Sequence, residues 1–307
     1  MNLVHEVCRI LSQNYITYGI VRLDSLNRSP HHILSDNERV FVKLLRPETN
    51  PAPLQTEIDF AVNTTYGTNP LFDNVHHRSS RGLPLVLSAW EWERLYPIGT
   101  NMNPMQAAHA ARELFYIHNS LKYPELNESS NDDYLRYGEK LGSPSFKYLT
   151  AENQNRLRDL FKVIIQPVTN MISSTPEINV VSHGRATPEN LVMKEDYSVV
   201  WTSFEESRAA PREYDLAHLY LHLVHRMHRP ELWTVARQEY ETLLGRSVSD
   251  YGLNQFAALL LGRRALTIAS KTLHATDEGE LNSFLKELEP LVKGVSVDAV
   301  KNFTHLH

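Results

Sequence analysis

One stretch of the sequence concentrates the residue types that could do chemistry. Residues 182–192 read Ser-His-Gly-Arg-Ala-Thr-Pro-Glu-Asn-Leu-Val, and residues 201–206 read Trp-Thr-Ser-Phe-Glu-Glu. The carboxylates of Glu189, Glu205 and Glu206 are groups that can hold a divalent metal or accept a proton. This stretch is therefore the first candidate for an active or binding site.

A third segment, residues 211–217, reads Pro-Arg-Glu-Tyr-Asp-Leu-Ala. In this order the three segments resemble the signature of the aminoglycoside phosphotransferases and their protein-kinase-like relatives. That signature is His-Gly-Asp-x-x-x-x-Asn-x-Leu-Val, then an Asp followed by an aromatic residue and Glu, then Tyr-Asp-Leu-Ala. The resemblance covers nearly the whole chain. It implies an α+β bilobal fold, with a β-rich N-lobe over residues 1–95 and a mainly helical C-lobe over 96–307 that carries the catalytic-loop-like segment 182–206.

The resemblance also implies roles for individual residues. Lys43 corresponds to the lysine that positions the nucleotide phosphates, and Glu57, on the next predicted helix, corresponds to its ion-pair partner. Asn190 corresponds to a magnesium ligand, although its amide could instead close the loop. Asp215 corresponds to a structural anchor of the loop backbone, and we expect His183 to pack under the loop.

Two positions depart from the family where charge matters most. Arg185 stands where the family has its catalytic Asp, and Ser203 stands where it has a metal-binding Asp. An arginine stays protonated and cannot act as a base, and losing a general base costs about 10² to 10⁴ in rate. A cation about 5 Å from a metal opposes it by roughly 3 kcal/mol per unit charge at an effective dielectric near 20. The departures therefore predict that magnesium-dependent phosphoryl transfer is lost or impaired.

The charge of Arg185 allows three interpretations. Glu205 or Glu206 could pair with it, which we favour because an unpaired buried guanidinium is unstable. One of Glu189, Glu205 and Glu206 could instead take over the metal or base role. Arg185 could also grip a substrate phosphate or carboxylate, since a guanidinium suits an anion.

The sequence leads to two hypotheses about function. The preferred hypothesis is a pseudokinase, a kinase-like scaffold that binds a partner protein or peptide. The alternative is an active phosphotransferase that acts on a small hydroxyl compound or on a peptide Ser/Thr, for example in peptide natural-product modification. ATP is compatible with Lys43, but residues 24–32, between the first two predicted strands, contain no glycine that would let the backbone approach phosphates. Magnesium is disfavoured by Arg185 and Ser203.

The composition and the pattern of apolar residues argue against several other classes of protein. The chain has 307 residues, 31 Lys and Arg against 36 Asp and Glu, and a net charge of −5, which argues against nucleic acid as a partner. Cys8 is the one cysteine, so an intrachain disulfide is excluded. No apolar run approaches the ~20 residues that span a bilayer, and the N-terminus lacks a secretory pattern, so we expect no membrane and a cytoplasmic location.

The periodicity of the chain predicts its elements. A helix is expected to begin at Asn103 and Pro104, with Ala108, Ala111, Phe115 and His118 on one face. Another, with Leu157, Leu160, Phe161, Ile164 and Val168, is expected to kink or end near Pro167. The other expected elements are strands at 18–23, 40–45, 178–182, 191–193 and 198–201, a hairpin at 72–94, a helix at 56–64, and helical stretches at 215–227 and roughly 230–303.

The remaining histidines and tryptophans receive structural interpretations. His218, His222 and His225 share one helix face, a spacing that could seat a metal, but nothing completes the ligand set. We expect no metal site there. The histidine pairs at 31–32 and 76–77 are interpreted as loop residues. Trp90 and Trp92 are interpreted as residues that pack at the hinge between the lobes.

Overall fold

A computed structural model of the chain describes residues 20–25, 31–35, 39–44, 56, 60, 75–80, 83–90, 96–120, 146, 148–174, 179–193, 197–204, 206–271, 278–286 and 288. A five-stranded antiparallel sheet comes first, and a mainly helical region with short strands follows. This arrangement confirms the predicted α+β fold.

The sheet has the strand order β1-β2-β3-β5-β4. Its strands are β1 (Ile20–Ser25), β2 (His31–Ser35), β3 (Arg39–Leu44), β4 (Val75–Ser80) and β5 (Leu83–Trp90). Lys43 lies in β3 and pairs with Val86 of β5. The predicted hairpin is present as β4 and β5.

The interpretation of two histidine pairs as loop residues was wrong. His31 and His32 belong to β2, which lies between β1 and β3, and His76 and His77 belong to β4. Ladder hydrogen bonds come from the main chain, so polar side chains do not prevent pairing. Strand β4 is also an edge strand, where polar residues are usual.

The helical region begins after the short strand β6 (Tyr96–Pro97), which pairs with β8. The helices are α1 (Pro104–His118), α2 (Ala151–Ser174), α3 (Arg212–Tyr220), α4 (Pro230–Leu244) and α5 (Asp250–Lys271). The short strands are β7 (Asn179–Ser182), β8 (Leu191–Met193), β9 (Val199–Trp201) and β10 (Arg208–Pro211).

Helix α1 begins where the sequence predicts. The Asn103 side chain accepts the backbone N–H of Gln106, and the Gln106 side chain accepts the backbone N–H of Asn103, which closes a capping box. Ala111 and His118 are buried, as expected. Ala108 and Phe115 are only partly buried because the buried stripe is centred on other residues: Ala107, Ala110, Leu114 and Ile117.

Helix α2 corrects the expected end at Pro167, because it continues to Ser174. A proline removes one helical hydrogen bond, but Ile164 and Val168 on either side of it are buried, and this packing stabilises the helix through the proline.

Both of the helical stretches expected toward the C-terminus change conformation along their length. Helix α3 gives way to a π-helical segment at Leu221–Arg226. Within the stretch expected to be helical over roughly 230–303, α4 ends at Gly245, which adopts φ +71 and so takes the left-handed conformation of a helix C-terminus, before α5 begins.

A single apolar core packs α1 against α4 and β9, and α5 against α2 and α3. Trp201 of β9 is fully buried, and its indole Nε1 donates to the carbonyl oxygen of Ala110 in α1 at 3.0 Å. Among the described residues no helix combines the length and hydropathy that a membrane crossing needs.

Candidate functional site

The loop after β7 is held to helix α3 by one carboxylate. Strands β7 and β10 pair antiparallel, and α3 begins directly after β10. This brings Asp215 under the loop, where its oxygens accept the backbone N–H of His183 at 2.7 Å and of Gly184 at 2.9 Å. The geometry agrees with the structural role expected for Asp215.

Asp215 is fully buried and keeps its charge. Burial alone would raise the pKa of the carboxyl, but the hydrogen bond from His118 and the electrostatic interactions with His118, His183 and His218 lower that pKa to about 2. The His118 ring bridges Asp215 Oδ2 at 3.0 Å and the Tyr240 hydroxyl at 2.6 Å. The loop is thus tied to helices α1, α3 and α4 together.

His183 packs under the loop, as expected, and is fully buried. Its Nδ1 accepts the backbone N–H of Arg185 at 3.2 Å, so its Nε2 carries the proton and donates to the Thr202 carbonyl at 3.0 Å. The ring also lies against Trp201 and Phe204. The histidine therefore joins the loop to the segment that follows β9.

Asn190 closes the loop from its far end. It ends a short 3₁₀ turn, Pro188–Asn190, and its amide Nδ2 donates to the carbonyl oxygen of Arg185 at 2.9 Å. The Arg185 carbonyl also accepts the backbone N–H of Thr187 at 2.8 Å. The side-chain amide nitrogen of Asn190 thus holds the backbone of the loop.

Ser203 adopts an uncommon backbone conformation, with φ +68. A residue other than glycine in the left-handed region is uncommon and often marks a functional segment. The next residue, Phe204, is fully buried and stacks on Phe60 with ring centroids 4.0 Å apart. The side chain of Ser203 is a hydroxyl, whereas the family resemblance implies a carboxylate at this position.

Arg185 is paired by Glu206. The side chain of Arg185 is 54% exposed, and its Nη1 lies 3.9 Å from Glu206 Oε1. The other Glu206 oxygen lies 3.3 Å from Arg263 Nη1 and 4.0 Å from Arg208 Nη2. One carboxylate is thus shared by three guanidinium groups, and the favoured pairing of Arg185 with Glu205 or Glu206 is present for Glu206.

Glu189 is also paired with an arginine. Its Oε1 lies 2.5 Å from Nη1 of Arg226, the last residue of the π-helical segment. Both carboxylates among the described members of the Glu189, Glu205 and Glu206 set are therefore engaged by guanidinium groups.

A cavity of about 530 Å³ opens beside this cluster. It lies between the loop, helix α3 with its π-helical segment, helix α5 and the helical residues Phe284 and Leu288. Its lining residues are Arg185, Thr187, Glu189, Glu206, His218, Leu221, His222, His225, Arg226, Leu260, Leu261, Arg263, Arg264, Thr267, Phe284 and Leu288.

His218 and His222 line the cavity as neutral rings. Burial lowers the pKa of His218 to about 3, and burial together with the charge of Arg226 lowers the pKa of His222 to about 4. Their spacing with His225 runs across the change from α- to π-helix, so a regular helical face does not hold all three. Within the described ranges, no three His, Cys, Asp or Glu side chains are arranged to hold a metal ion.

Three predicted site residues, Lys43, Glu57 and Glu205, are partly or wholly outside the described part of the chain. Glu205 and Glu57 are outside it, and the expected Lys43–Glu57 pair is therefore outside it as well. Lys43 has the expected place in the third strand of the sheet. The roles assigned to these residues remain predictions.

The sequence did not point to three arginines of the cavity. Arg226 ends the π-helical segment, and Arg263 and Arg264 lie in α5. A signal was present, because residues 256–266 are apolar except for this adjacent pair of charges. Two arginines inside an apolar helical run indicate a face that meets something other than the core.

Many solved structures resemble the chain, and three of them illustrate the likeness. Choline kinase LicA from Streptococcus pneumoniae matches with a TM-score of 0.65 and 14% identity, over 96% of this chain and 100% of its own. A spectinomycin phosphotransferase, solved with ADP and spectinomycin, matches with a TM-score of 0.66 and 11% identity, over 95% and 98%. The Plasmodium vivax ethanolamine kinase matches with a TM-score of 0.65 and 14% identity, over 94% and 88%.

The chain has a kinase-like fold. The predicted resemblance to the aminoglycoside phosphotransferases and their relatives is thereby confirmed at the level of the fold. No protein-family model and no curated protein sequence matches the chain.

Proposed function

We propose that the protein is a kinase-like binding protein in which phosphoryl transfer is lost or strongly impaired. The observation that carries this proposal is the arginine cluster at the loop. By the sequence resemblance, Arg185 corresponds to the catalytic carboxylate of the family, and Glu206, which could have replaced it, is shared by Arg185, Arg208 and Arg263. A carboxylate that neutralises three guanidinium groups is poorly placed to take a proton from a hydroxyl.

The donor set does not fit magnesium. Magnesium prefers carboxylate and water oxygens in octahedral geometry, whereas position 203 supplies a hydroxyl and position 185 a cation. Glu189 is paired with Arg226. No step of the proposed function therefore uses a metal.

The ligand that fits the cavity best is a small molecule. A cavity of about 530 Å³ is within the range of small-molecule sites, roughly 300 to 1,000 Å³. The similar structures also carry names of enzymes that act on small molecules. We therefore place a small molecule ahead of the protein or peptide partner that the sequence favoured. Residual nucleotide binding next to Lys43 is part of the proposal, because similar structures contain ADP or AMP.

The alternative is an active phosphotransferase with a small hydroxyl compound or a peptide Ser/Thr as acceptor. It is favoured by the names of the similar structures, which are kinases and phosphotransferases. It requires that Glu205 or one of the arginine-paired carboxylates does the work of the absent Asp residues.

A nucleotide-turnover assay separates the two functions. The chain and its Lys43→Ala variant are incubated with ATP and magnesium, with choline, ethanolamine, spectinomycin or a Ser-containing peptide as acceptor. The proposal predicts equal, background release of ADP from both proteins. Turnover by the unaltered chain that Lys43→Ala abolishes would overturn the proposal and establish the alternative.

A double variant tests whether restoring the two carboxylates restores magnesium-dependent binding of ATP. Replacing Arg185→Asp and Ser203→Asp restores both carboxylates of the family pattern. We expect ATP with magnesium to raise the melting temperature of this variant more than ATP with a chelator, because a bound ligand stabilises the folded state by mass action. The unaltered chain should show no such difference.

A further inference from the structure

A series of buried polar groups joins helices α1, α3 and α4 to the loop after β7. Tyr240 of α4, His118 of α1 and Asp215 of α3 are all buried. The Tyr240 hydroxyl lies 2.6 Å from His118 Nδ1, and His118 Nε2 lies 3.0 Å from Asp215 Oδ2. Asp215 in turn accepts the backbone N–H groups of His183 and Gly184. The hydroxyl of α4 is therefore connected to the main chain of the loop through two side chains.

The hydrogen-bond partners fix which atom of this series carries each proton. The Asp215 carboxyl is ionised and can only accept, so His118 Nε2 carries a hydrogen and donates it. The Tyr240 hydroxyl keeps its hydrogen, because burial raises the pKa of Tyr240 above its ordinary value. Among the described residues, the acceptor that this hydroxyl contacts is His118 Nδ1. The geometry therefore places the ring proton of His118 on Nε2 and leaves Nδ1 as an acceptor.

Arg212, the first residue of α3, also interacts with the Tyr240 hydroxyl. Its positive charge and its hydrogen bond lower the pKa of Tyr240, against the larger effect of burial. The Nε and Nη1 atoms of Arg212 are buried, and within the described part of the chain they have no hydrogen-bond partner. Buried donors without partners cost stability, so folding stability does not account for a guanidinium at this place. Its contact with the Tyr240 hydroxyl offers another account.

We propose that Tyr240 and Arg212 are positioning residues for the loop. By donating to His118 Nδ1, the Tyr240 hydroxyl keeps the ring proton on Nε2, and Arg212 fixes the direction of that hydroxyl. Asp215 Oδ2 accepts from both His118 and His183, so the orientation of the ring is passed on to the main chain of the loop. The inference rests on the proposed function, in which this loop forms part of the binding site. It assigns the position of the loop to residues outside the cavity lining.

Nuclear magnetic resonance of the histidine ring nitrogens tests the order of the protons. The full chain is prepared with isotopically labelled histidine, and His118→Gln assigns the His118 signals by their loss. We expect a protonated Nε2 and an unprotonated, hydrogen-bonded Nδ1. Tyr240→Phe removes the hydroxyl and keeps the ring that packs on Phe115, so the Nδ1 signal should move toward that of a nitrogen without a hydrogen bond. A proton on Nδ1 in the unaltered chain, or an Nδ1 signal that Tyr240→Phe leaves in place, would overturn the inference.

Amide hydrogen exchange measures the effect on the loop itself. Tyr240→Phe should speed the exchange of the backbone N–H groups of His183 and Gly184 by about tenfold, as expected for weakened hydrogen bonds. The amides of Phe161 and Phe256, which are buried in α2 and α5, report general destabilisation and should speed up less. An equal increase at the loop and at these core amides would mean that Tyr240 only stabilises the fold, and would overturn the positioning role.

Two further variants separate positioning from stability. Tyr251→Phe removes a partly buried hydroxyl of α5 outside the series, and it should leave exchange at His183 and Gly184 unchanged. Arg212→Met replaces the guanidinium by an apolar side chain, a change that is often neutral or stabilising for a buried charge. We expect its melting temperature not to fall, while exchange at the two loop amides increases several-fold. Unchanged loop exchange in Arg212→Met would overturn the role of Arg212.

These measurements use no ligand and no nucleotide, so they stand apart from the turnover assay. Turnover by a chain whose loop amides respond selectively to Tyr240→Phe overturns only the proposed function. A chain without turnover, whose loop amides respond no more than the core amides, overturns this inference alone.

Discussion

Gly184 lies directly against the main chain of Glu206. Its φ is +84, and a Cβ at this position would stand 1.8 Å from the Glu206 carbonyl oxygen. No side chain larger than hydrogen fits this approach. The glycine of the loop therefore sets how closely the segment after β9 can lie against the loop, and so where Arg185 and Glu206 meet.

Gly184→Ala should destabilise the protein strongly. A left-handed φ costs an alanine about 1 to 2 kcal/mol, and the clash with the Glu206 main chain adds about 1 to 3 kcal/mol. Gly245→Ala is a matched control, because Gly245 has φ +71 but no atom within 4 Å of its Cβ position. Urea unfolding should show the smaller loss for Gly245→Ala, and equal losses would disprove the steric role of Gly184.

Asp215→Asn tests the anchor of the loop. The carboxylate accepts the backbone N–H groups of His183 and Gly184 and a hydrogen bond from His118, and an amide cannot accept all three. We expect the free energy of unfolding to fall by about 2 to 3 kcal/mol. Asp250→Asn, which changes an exposed carboxylate beside Arg237, should cost under about 1 kcal/mol. A loss at Asp215 no larger than at Asp250 would refute the anchoring role.

Much of the scaffold could be predicted because its signals are local. The capping box of Asn103 and Gln106 lies within four residues, and the alternation of β3 is visible in the sequence. Strand β10 was missed because its residues, Arg-Ala-Ala-Pro, have little β propensity, and only its pairing with β7 makes it a strand. The passage of α2 through Pro167 likewise depends on burial that local patterns do not show.

The candidate site also combines features that the sequence could reveal with features that depend on tertiary packing. The pairing of Arg185 with Glu206 could be foreseen because the two residues are close in sequence and opposite in charge. The contribution of Arg263 could not, because it comes from α5 and reaches Glu206 only through the packing of α5 on α3. The π-helical segment, which changes how His222 and His225 follow His218, is also set by tertiary structure rather than by spacing.

The lowered pKa values of His218 and His222 predict a loss of stability in mild acid. The pKa values of His218 and His222 in the folded chain, about 3 and about 4, lie below the ordinary 6.5, so between these limits the unfolded chain binds more protons than the folded one. The free energy of unfolding is therefore unaffected above pH 6.5 and falls below it, by about 1.4 kcal/mol per pH unit for each histidine.

Urea unfolding at pH 7.5, 6 and 5 measures this slope. His222→Gln should reduce the slope because it removes one of the two groups. His228→Asn, at an exposed position with φ +55 that asparagine tolerates, should leave it unchanged. A stability that is flat from pH 7.5 to 5 would show that the folded chain protonates these rings without cost.

Asp215 adds a second loss of folding stability, at lower pH than the loss caused by the histidines. The pKa of its carboxyl in the folded chain, about 2, is below the ordinary 3.8, so its contribution is complete above pH 4 and is lost as the pH falls toward 2. The loss amounts to roughly 2 kcal/mol. Asp215→Asn should remove this step from the acid-unfolding curve while keeping the histidine-dependent one.

Glu206→Gln tests the balance of charge in the arginine cluster. The substitution preserves the side-chain shape and the main-chain carbonyl against Gly184, but it leaves Arg185, Arg208 and Arg263 without their shared counter-charge. Because Glu206 and Arg185 are partly exposed, we expect only about 1 kcal/mol of destabilisation in urea unfolding, reduced further by salt. Asp159→Asn removes the same charge from an exposed carboxylate within α2, beside Lys162, and should cost less than Glu206→Gln. A loss at Glu206→Gln no larger than at Asp159→Asn would show that the arginine cluster does not depend on this shared counter-charge.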